Sequence, residues 1–219
     1  MSSNKRALAL ATAIVLAGAG WWGYGEYRQR ESNRALVAAV QDTTARLRDS
    51  LAVAPNVTSK SALARLDEHA AAVDAHLKTI REGRNNGELA DGAEHYLIGA
   101  REILRREAAA IRQSEQSAAS RASLVSHMRR AARRDGAWIR EAMLQKKIVE
   151  SHYFDYNVTL GALAELLKDF PETSARLAPH LDAAALLPRA PVEEARTLVL
   201  KESKRAAEEL DSVRRLAPR

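Results

Sequence analysis

The sequence predicts an all-α protein, in which an N-terminal transmembrane helix is followed by an antiparallel bundle of five or six helices. Three observations support this fold class. Aromatic residues make up only 5% of the 219 residues, with ten Gly and six Pro, whereas β-sandwiches and barrels need aromatic and β-branched residues and frequent turns. Apolar residues recur at heptad spacing in several segments. One uncharged N-terminal stretch is long enough to cross a bilayer.

The N-terminal stretch, residues 7–25, carries no charged side chain and directly follows Lys5 and Arg6. A helix of this length spans about 29 Å at about 1.5 Å per residue, which matches the roughly 30 Å of bilayer hydrocarbon. Aromatic residues near its far end are typical of a membrane-interface belt: Trp21, Trp22, Tyr24 and Tyr27. The positive-inside rule keeps the basic N-terminus in the cytoplasm. We therefore expect a single-pass inner-membrane protein, with residues 1–27 as cytoplasmic stub and anchor and residues 28–219 as an exported, periplasmic bundle.

The same stretch is also compatible with a cleaved signal peptide, because residues 17–19 (AGA) match an A-x-A cleavage site. We favour the retained anchor, since an aromatic belt has no purpose in a soluble N-terminus and the helical pattern continues without a break to Leu51. Whether residues 1–19 are removed stays open at this point, and both alternatives export the rest of the chain. Small residues recur at every fourth position, as in helices that pack closely in membranes: Ala9, Ala13 and Ala17. A homo-oligomer is therefore a further expectation.

The clearest helix is predicted at residues 60–82, where apolar residues follow strict a/d spacing. They are Leu63, Leu66, Ala70, Val73, Leu77 and Ile80. Ser59 or Ser61 is suited to cap the start of this helix. His69 and His76 lie beside the apolar seam, where we expect a solvated or interfacial pair, with a pH-sensing or ligand role as the alternative.

Apolar periodicity predicts further helices on both sides of residues 112–123, where the apolar residues thin to Ala and four Ser appear. This section is either an exposed part of one helix or a break between two helices, and Asp135-Gly136 marks a candidate kink. A later heptad pattern is expected to end at Pro171, because proline removes a helical hydrogen bond and clashes with the preceding turn. Residues 171–191 hold four of the six prolines, which predicts a connection without a long helix. The last helix is expected to begin with Pro191 at its first position.

No residue pattern in the sequence points to catalysis or to a cofactor. The chain has no Cys, which excludes disulfides, thiolate metal sites and cysteine nucleophiles. It contains neither the Glu-x-x-His pairs of dimetal bundles nor the His-x-x-x-His pair of zincins. A G-x-x-x-x-G-K phosphate loop and a G-x-S-x-G elbow are absent as well, and the glycine-rich residues 18–25 lie in the predicted anchor. We therefore expect no enzyme activity, no cofactor and no metal site.

Two segments of the bundle are candidate functional sites. An aromatic cluster with a histidine is a candidate ligand pocket, although such clusters more often pack helix junctions: His152, Tyr153, Phe154 and Tyr156. The second site is a basic patch made of two i,i+4 pairs on one helix: Arg129, Arg130, Arg133 and Arg134. Residues 120–147 carry a local net charge of +6, from eight basic and two acidic residues. The patch predicts an anionic partner, with a solvated face paired to neighbouring acids as the alternative.

These observations favour a membrane-anchored helical scaffold or accessory subunit of a cell-envelope complex, which binds a partner through its exported bundle. The expected partner is another envelope protein or an anionic lipid surface. Nucleic acid is not expected, because the bundle would lie on the outer side of the membrane. The alternative function is a periplasmic ligand-sensing or carrier bundle, with the aromatic cluster lining its pocket.

Overall fold

The computed structural model of the protein describes residues 3–52, 58–83, 87–130 and 135–216. Side chains are described from residue 27 onward, with the exception of Arg130. Within these ranges the chain forms five α-helices, one 3-10 turn and no strand, which confirms the all-α prediction. In chain order the elements are α1 (Ser3–Leu51), α2 (Ser59–Glu82), α3 (Glu88–Arg130), α4 (Gly136–Leu177), the 3-10 turn (Ala183–Ala185) and α5 (Arg189–Arg215).

Consecutive helices run antiparallel, because the residue numbers of their contacts rise along one helix and fall along the next. Asp42 and Asp49 of α1 contact His76 and Arg65 of α2, in that order. The same order holds for the other neighbouring pairs: Asp67 with Arg112 and Asp74 with Arg101 (α2 and α3), Tyr96 with Phe170 and Gln116 with His152 (α3 and α4), Tyr153 with Glu209 and Tyr156 with Glu202 (α4 and α5). The described helices therefore form an antiparallel bundle of five, counting α1.

Helix α1 contains both the predicted anchor and the first helix of the bundle, in one run of 49 residues. The side chains of residues 7–25 lie outside the described part of the structure, including Trp21, Trp22 and Tyr24 of the predicted belt. Tyr27, the fourth aromatic residue of that belt, is 64% exposed. Among the described residues, no helix is both long enough and apolar enough to cross a membrane. The anchor and the domain boundary after residue 27 therefore stay predictions.

Helix α2 confirms the heptad prediction, with a small shift of its start. Five of the six a/d residues are buried, and the sixth, Leu63, packs at the margin of the core. The cap is Thr58 rather than Ser59 or Ser61, since Thr58 Oγ1 accepts a hydrogen bond from the Ser61 amide at 3.3 Å. Ser59 is already helical, so the residue before it supplies the oxygen that the free amides of the first turn need.

Helix α3 runs through residues 112–123 without interruption, so the interpretation as an exposed helix section is correct and a break is wrong. More than half of this section is exposed, although Ser117 is buried. Asp135 caps the start of α4, because its Oδ1 accepts hydrogen bonds from the amides of Ala137 and Trp138 at 3.1 and 2.9 Å. The kink predicted at residue 135 is therefore the beginning of a helix.

The prediction that Pro171 ends a helix is wrong, because α4 continues to Leu177. Proline leaves one carbonyl of the preceding turn without its N–H donor. Buried contacts on both sides hold the helix together: the rings of Phe170 and Tyr96 lie 5.0 Å apart, and Leu177 is fully buried. The Pro-rich connection is therefore shorter than the predicted residues 171–191.

Helix α5 begins at Arg189, so Pro191 occupies the third helical position and not the first, as predicted. The amides of a first turn have no partner inside the helix, so proline is tolerated there too. Five residues of α5 are buried against the core: Val192, Ala195, Ala206, Leu210 and Val213.

The buried apolar residues form two clusters along the bundle. The larger cluster joins all five helices, whereas the smaller one joins only α3, α4 and α5. In the larger cluster, Thr44 Oγ1 accepts from the Tyr96 hydroxyl at 2.8 Å and donates to the Ala185 carbonyl at 2.9 Å. The Tyr96 hydroxyl also accepts a hydrogen bond from the Leu187 amide. The connection between α4 and α5 is therefore fixed to α1 and α3.

Candidate partner-binding surfaces

The basic patch predicted near the end of α3 lies only partly within the described side chains. Arg129 is exposed in the last turn of α3. The other three members lie outside the described side chains: Arg130, Arg133 and Arg134. The first turns of α4 add two further exposed basic side chains, Arg140 and Lys147. Both helices that meet at this end of the bundle therefore carry exposed positive charge.

Lys146, which belongs to the same basic region of the sequence, has a structural role instead. Its ammonium group donates hydrogen bonds to the carbonyls of Arg214 and Leu216 at 2.6 and 2.8 Å. These carbonyls lie at the end of α5, where unpaired C=O groups and the helix dipole favour a cation. Lys146 therefore joins α4 to the end of α5.

An open cleft of about 600 Å³ lies between α3, α4 and α5, and we call it the arginine-lined cleft. It brings together one residue of each predicted site, Arg129 of the patch and Tyr153 of the aromatic cluster, which are 24 positions apart in the sequence. Two further arginines and one carboxylate line it: Arg121, Arg205 and Glu209. Small residues of α3 form the rest of the wall: Ala118, Ala122, Val125 and Ser126.

Glu209 is the centre of the polar network in this cleft. The Tyr153 hydroxyl donates to Glu209 Oε2 at 2.6 Å, and a guanidinium nitrogen of Arg121 lies 3.1 Å from the same oxygen. Arg205 Nε lies 3.4 Å from Glu209 Oε1. Burial, reinforced by the Glu209 carboxylate, raises the pKa of Tyr153, so the hydroxyl stays a donor. With three arginines and one carboxylate, the cleft has a positive net charge that suits an anionic group.

The other residues of the predicted aromatic cluster lie in different environments. Tyr156 is buried and donates to Glu202 at 3.2 Å, and burial raises the pKa of Tyr156 to about 12. His152 Nε2 lies 2.9 Å from the side-chain nitrogen of Gln116 on α3. Phe154 is 60% exposed. Of the four predicted residues, Tyr153 is therefore the one that lines the arginine-lined cleft.

Helix α4 carries an apolar stripe on the side away from the core, which we call the outer face. Its large apolar side chains are 43–60% exposed. They are Met143, Leu144, Ile148, Phe154 and Val158. At about 100° per residue these positions fall within an arc of about 140°, while core residues such as Val149 and Leu160 lie on the opposite side. Lys147, Ser151 and Asp155 are exposed within the same arc, so polar side chains lie between the apolar ones. Exposed apolar side chains grouped on one face are typical of a binding surface, whereas scattered ones are not.

Sequence reasoning missed the outer face, because the core residues alone account for the apolar periodicity of α4. Buried residues at helical spacing, from Ala142 and Val149 to Leu177, already form a complete core series. The sequence does contain a signal for the outer face, because α4 has more apolar residues than one core-facing stripe needs. Leu144 and Ile148 are spaced as on one helix face, and that face points away from the core series. A helix with two apolar stripes has a second surface to bury.

The two histidines beside the α2 seam join α2 to α1, which is the interfacial arrangement expected for them. His76 Nε2 lies 2.8 Å from Asp42 Oδ2. His69 lies 3.8 Å from the Asp49 carboxylate, and burial lowers the pKa of His69. Within the described ranges, no group of three or more His, Asp or Glu side chains is placed to hold a metal ion.

No protein-family model, curated protein or solved structure matches this chain. Its function is therefore inferred from two surfaces, the outer face of α4 and the arginine-lined cleft. These surfaces lie on neighbouring sides of α4, because Tyr153 lines the cleft and the next residue, Phe154, belongs to the outer face.

Proposed function

We propose that this protein is a membrane-anchored helical scaffold or accessory subunit of a cell-envelope complex, which binds another protein through its exported bundle. The observation that carries the proposal is the outer face of α4. Its five large apolar side chains stay 43–60% exposed, although the same helix fills the core with its opposite side. Exposed apolar surface is unfavourable by roughly 25 cal/mol per Å², and a bound partner would remove it from water.

The partner segment that fits the outer face best is an amphipathic helix. The stripe from Leu144 to Val158 extends over about 21 Å along α4, a length that four turns of a second helix cover. Exposed Arg140 and Lys147 lie towards one end of the stripe, and exposed Asp155 lies towards the other. Charge complementarity therefore favours a partner helix with acidic residues opposite the two basic side chains and a basic residue opposite Asp155.

The arginine-lined cleft supports an acidic partner as well. It adjoins the outer face and holds Arg121, Arg129 and Arg205 against the single carboxylate of Glu209. Positive charge on two neighbouring surfaces speeds the approach of an acidic protein and disfavours a basic one. We therefore assign an acidic envelope protein as the partner and treat an anionic lipid surface as an outcome of the test.

The proposal includes a location at the inner membrane, with the N-terminus in the cytoplasm and the bundle in the periplasm. Uncharged residues 7–25 support it, together with Lys5 and Arg6 before them and the aromatic residues after them. The uninterrupted helix from Ser3 to Leu51 also supports it, because it would join the anchor to the bundle without a linker.

Site-specific photocrosslinking of the full-length protein in its membrane tests the partner. A photoreactive residue at position 148, in the outer face, should crosslink one defined envelope protein. The same residue at position 168, which is exposed on α4 outside that face, should not. Leu144→Gln should weaken the crosslink from position 148 at least fivefold with little effect on folding, because Leu144 is 60% exposed. The matched control Leu200→Gln, 48% exposed on α5, should leave it unchanged.

The alternative occupants give different products in the same experiment. A crosslink between two copies of this chain would show that the outer face binds a second copy of the protein and not a different envelope protein. Crosslinks to lipid alone would point to an anionic membrane surface instead. Equal crosslinking from positions 148 and 168 would contradict the outer face as a binding surface.

The arginine-lined cleft favours a second function, a periplasmic ligand-sensing or carrier bundle. Its volume of about 600 Å³ and its guanidinium groups suit a small anionic molecule. Mass spectrometry of the protein purified from membranes separates the two functions. A stoichiometric anion that is lost from Arg205→Ala favours the carrier, whereas a stoichiometric protein partner favours the scaffold.

A further inference from the structure

A second cavity, of about 300 Å³, lies where all five helices meet, and we call it the five-helix cavity. It shares no lining residue with the arginine-lined cleft. Its walls are mainly aliphatic: Leu66, Ile111, Leu160, Leu163, Leu198 and Val199. Leu198 is 44% exposed, so the cavity is open to solvent on the side of α5. Mainly apolar walls with a few converging polar groups are typical of sites for small organic ligands.

Two polar atoms at this cavity are shielded from solvent and have no hydrogen-bond partner among the described residues, Glu107 Oε2 on α3 and Arg65 Nε on α2. The first is an acceptor when the carboxylate is ionised, and the second is a donor. A buried polar atom without a partner costs about 1–3 kcal/mol, so most such atoms are paired with the protein, with ordered water or with a ligand. A ligand group that donates one hydrogen bond and accepts another would satisfy both atoms of this pair.

Two of the charged groups around the cavity have a partner of opposite charge within the protein, Arg65 with Asp49 and Glu202 with Arg205. Arg65 lies 3.5 Å from the Asp49 carboxylate, besides facing Glu107. Glu202 accepts a hydrogen bond from Tyr156. Helix α4 contributes only leucines to the lining. Arg65 and Glu107 would attract and repel either kind of charged head group in opposite ways, so a charged ligand gains little over a neutral one that bonds to both, and a neutral ligand fits best.

We propose that the five-helix cavity binds a neutral aliphatic molecule with a hydroxyl head group. The hydroxyl donates to Glu107 Oε2 and accepts from Arg65 Nε, which satisfies both shielded atoms at once. The aliphatic part lies against Leu66, Leu163 and Val199, where it removes apolar surface from water. This site is independent of the proposed partner binding, because it involves neither the outer face nor the arginine-lined cleft.

Ligand-observed NMR on the full-length protein in detergent tests the site, with hexan-1-ol as the probe. Hexylamine and hexanoate have the same chain with a cationic or an anionic head. We expect hexan-1-ol to bind at least threefold more tightly than either. Glu107→Met, which removes the acceptor at similar size, should weaken hexan-1-ol binding at least tenfold. Glu102→Gln, on the same helix but paired with Arg106 outside the cavity, should bind as the unmodified protein does.

A second variant separates loss of the site from loss of the fold and from partition into detergent. Ala62→Leu should fill the mouth of the cavity and abolish binding while leaving Glu107 in place. Unchanged hexan-1-ol binding in both Glu107→Met and Ala62→Leu would overturn the proposal. Tighter binding of hexylamine or hexanoate than of hexan-1-ol would overturn the hydroxyl assignment.

Discussion

Glu107 is only partly buried as a residue, yet its Oε2 atom is shielded inside the bundle. Burial raises the pKa of Glu107 to about 7, although the Ser50 hydroxyl and the Arg65 guanidinium act in the opposite direction. The folded protein therefore holds this proton more tightly than the unfolded chain, in which the pKa is near 4.5. The group stabilises the fold below pH 4.5, and this contribution is lost as the pH rises towards 7 and above.

Replacing Glu107 by Gln should therefore make the protein more stable at pH 8 and leave it about equally stable at pH 4. The expected gain in the free energy of unfolding at pH 8 is about 2–3 kcal/mol, because the amide carries no charge to bury. Urea unfolding at the two pH values measures it, and Glu102→Gln serves as the control. A gain of equal size at both pH values would show that packing, and not charge, is responsible.

Among the elements, α4 shows how tertiary contacts override a local signal. Pro171 disfavours the helix that contains it, and the sequence alone therefore predicts an end at this point. Phe170, whose ring packs at a tilt against Tyr96, and the buried Leu177 lie on either side of the proline. The local helix signals predicted α2 correctly because the packing of its apolar residues agrees with them. They failed at Pro171, where buried contacts outweigh the helix-breaking effect of proline.

Restoring the backbone donor with Pro171→Ala should therefore stabilise the protein. The gain in the free energy of unfolding should reach up to about 3 kcal/mol, the difference between proline and alanine inside a helix. Chemical denaturation measures it against Glu172→Ala, which changes the neighbouring exposed position without restoring a donor. A loss of stability in Pro171→Ala alone would mean that the packing of the ring outweighs the missing hydrogen bond.

For the whole molecule, the sequence was sufficient for the helical class and for α2, but not for the sites. Heptad spacing is a local pattern, so the a/d residues of α2 could be read directly. The arginine-lined cleft joins Arg129 and Tyr153 from different helices, and the five-helix cavity joins Glu107 and Arg65 in the same way. Which side chains meet across helices depends on the packing of the bundle, and no local spacing encodes it.

The retained anchor can be tested on the whole chain by intact-mass measurement. Protein extracted from membranes should have the mass of the full sequence, 24.0 kDa, apart from processing of the initiator methionine. The uncharged stretch is expected to stay because the helical pattern continues from it into the bundle. A mature N-terminus at Gly20 would instead identify residues 1–19 as a signal peptide.

Thr44 and Tyr96 hold the segment before α5 against the bundle through hydrogen bonds to Ala185 and Leu187, and this has a practical consequence for engineering. Prolines in this segment suggest a flexible linker, the usual place for a fusion or an affinity tag. Ala185, Leu186 and Leu187 are in fact buried, and the Leu187 amide bonds to Tyr96. An insertion at residues 185–187 would have to separate α5 from the bundle. We therefore expect this segment to resist proteolysis and to tolerate no inserted domain, although its prolines suggest an accessible linker.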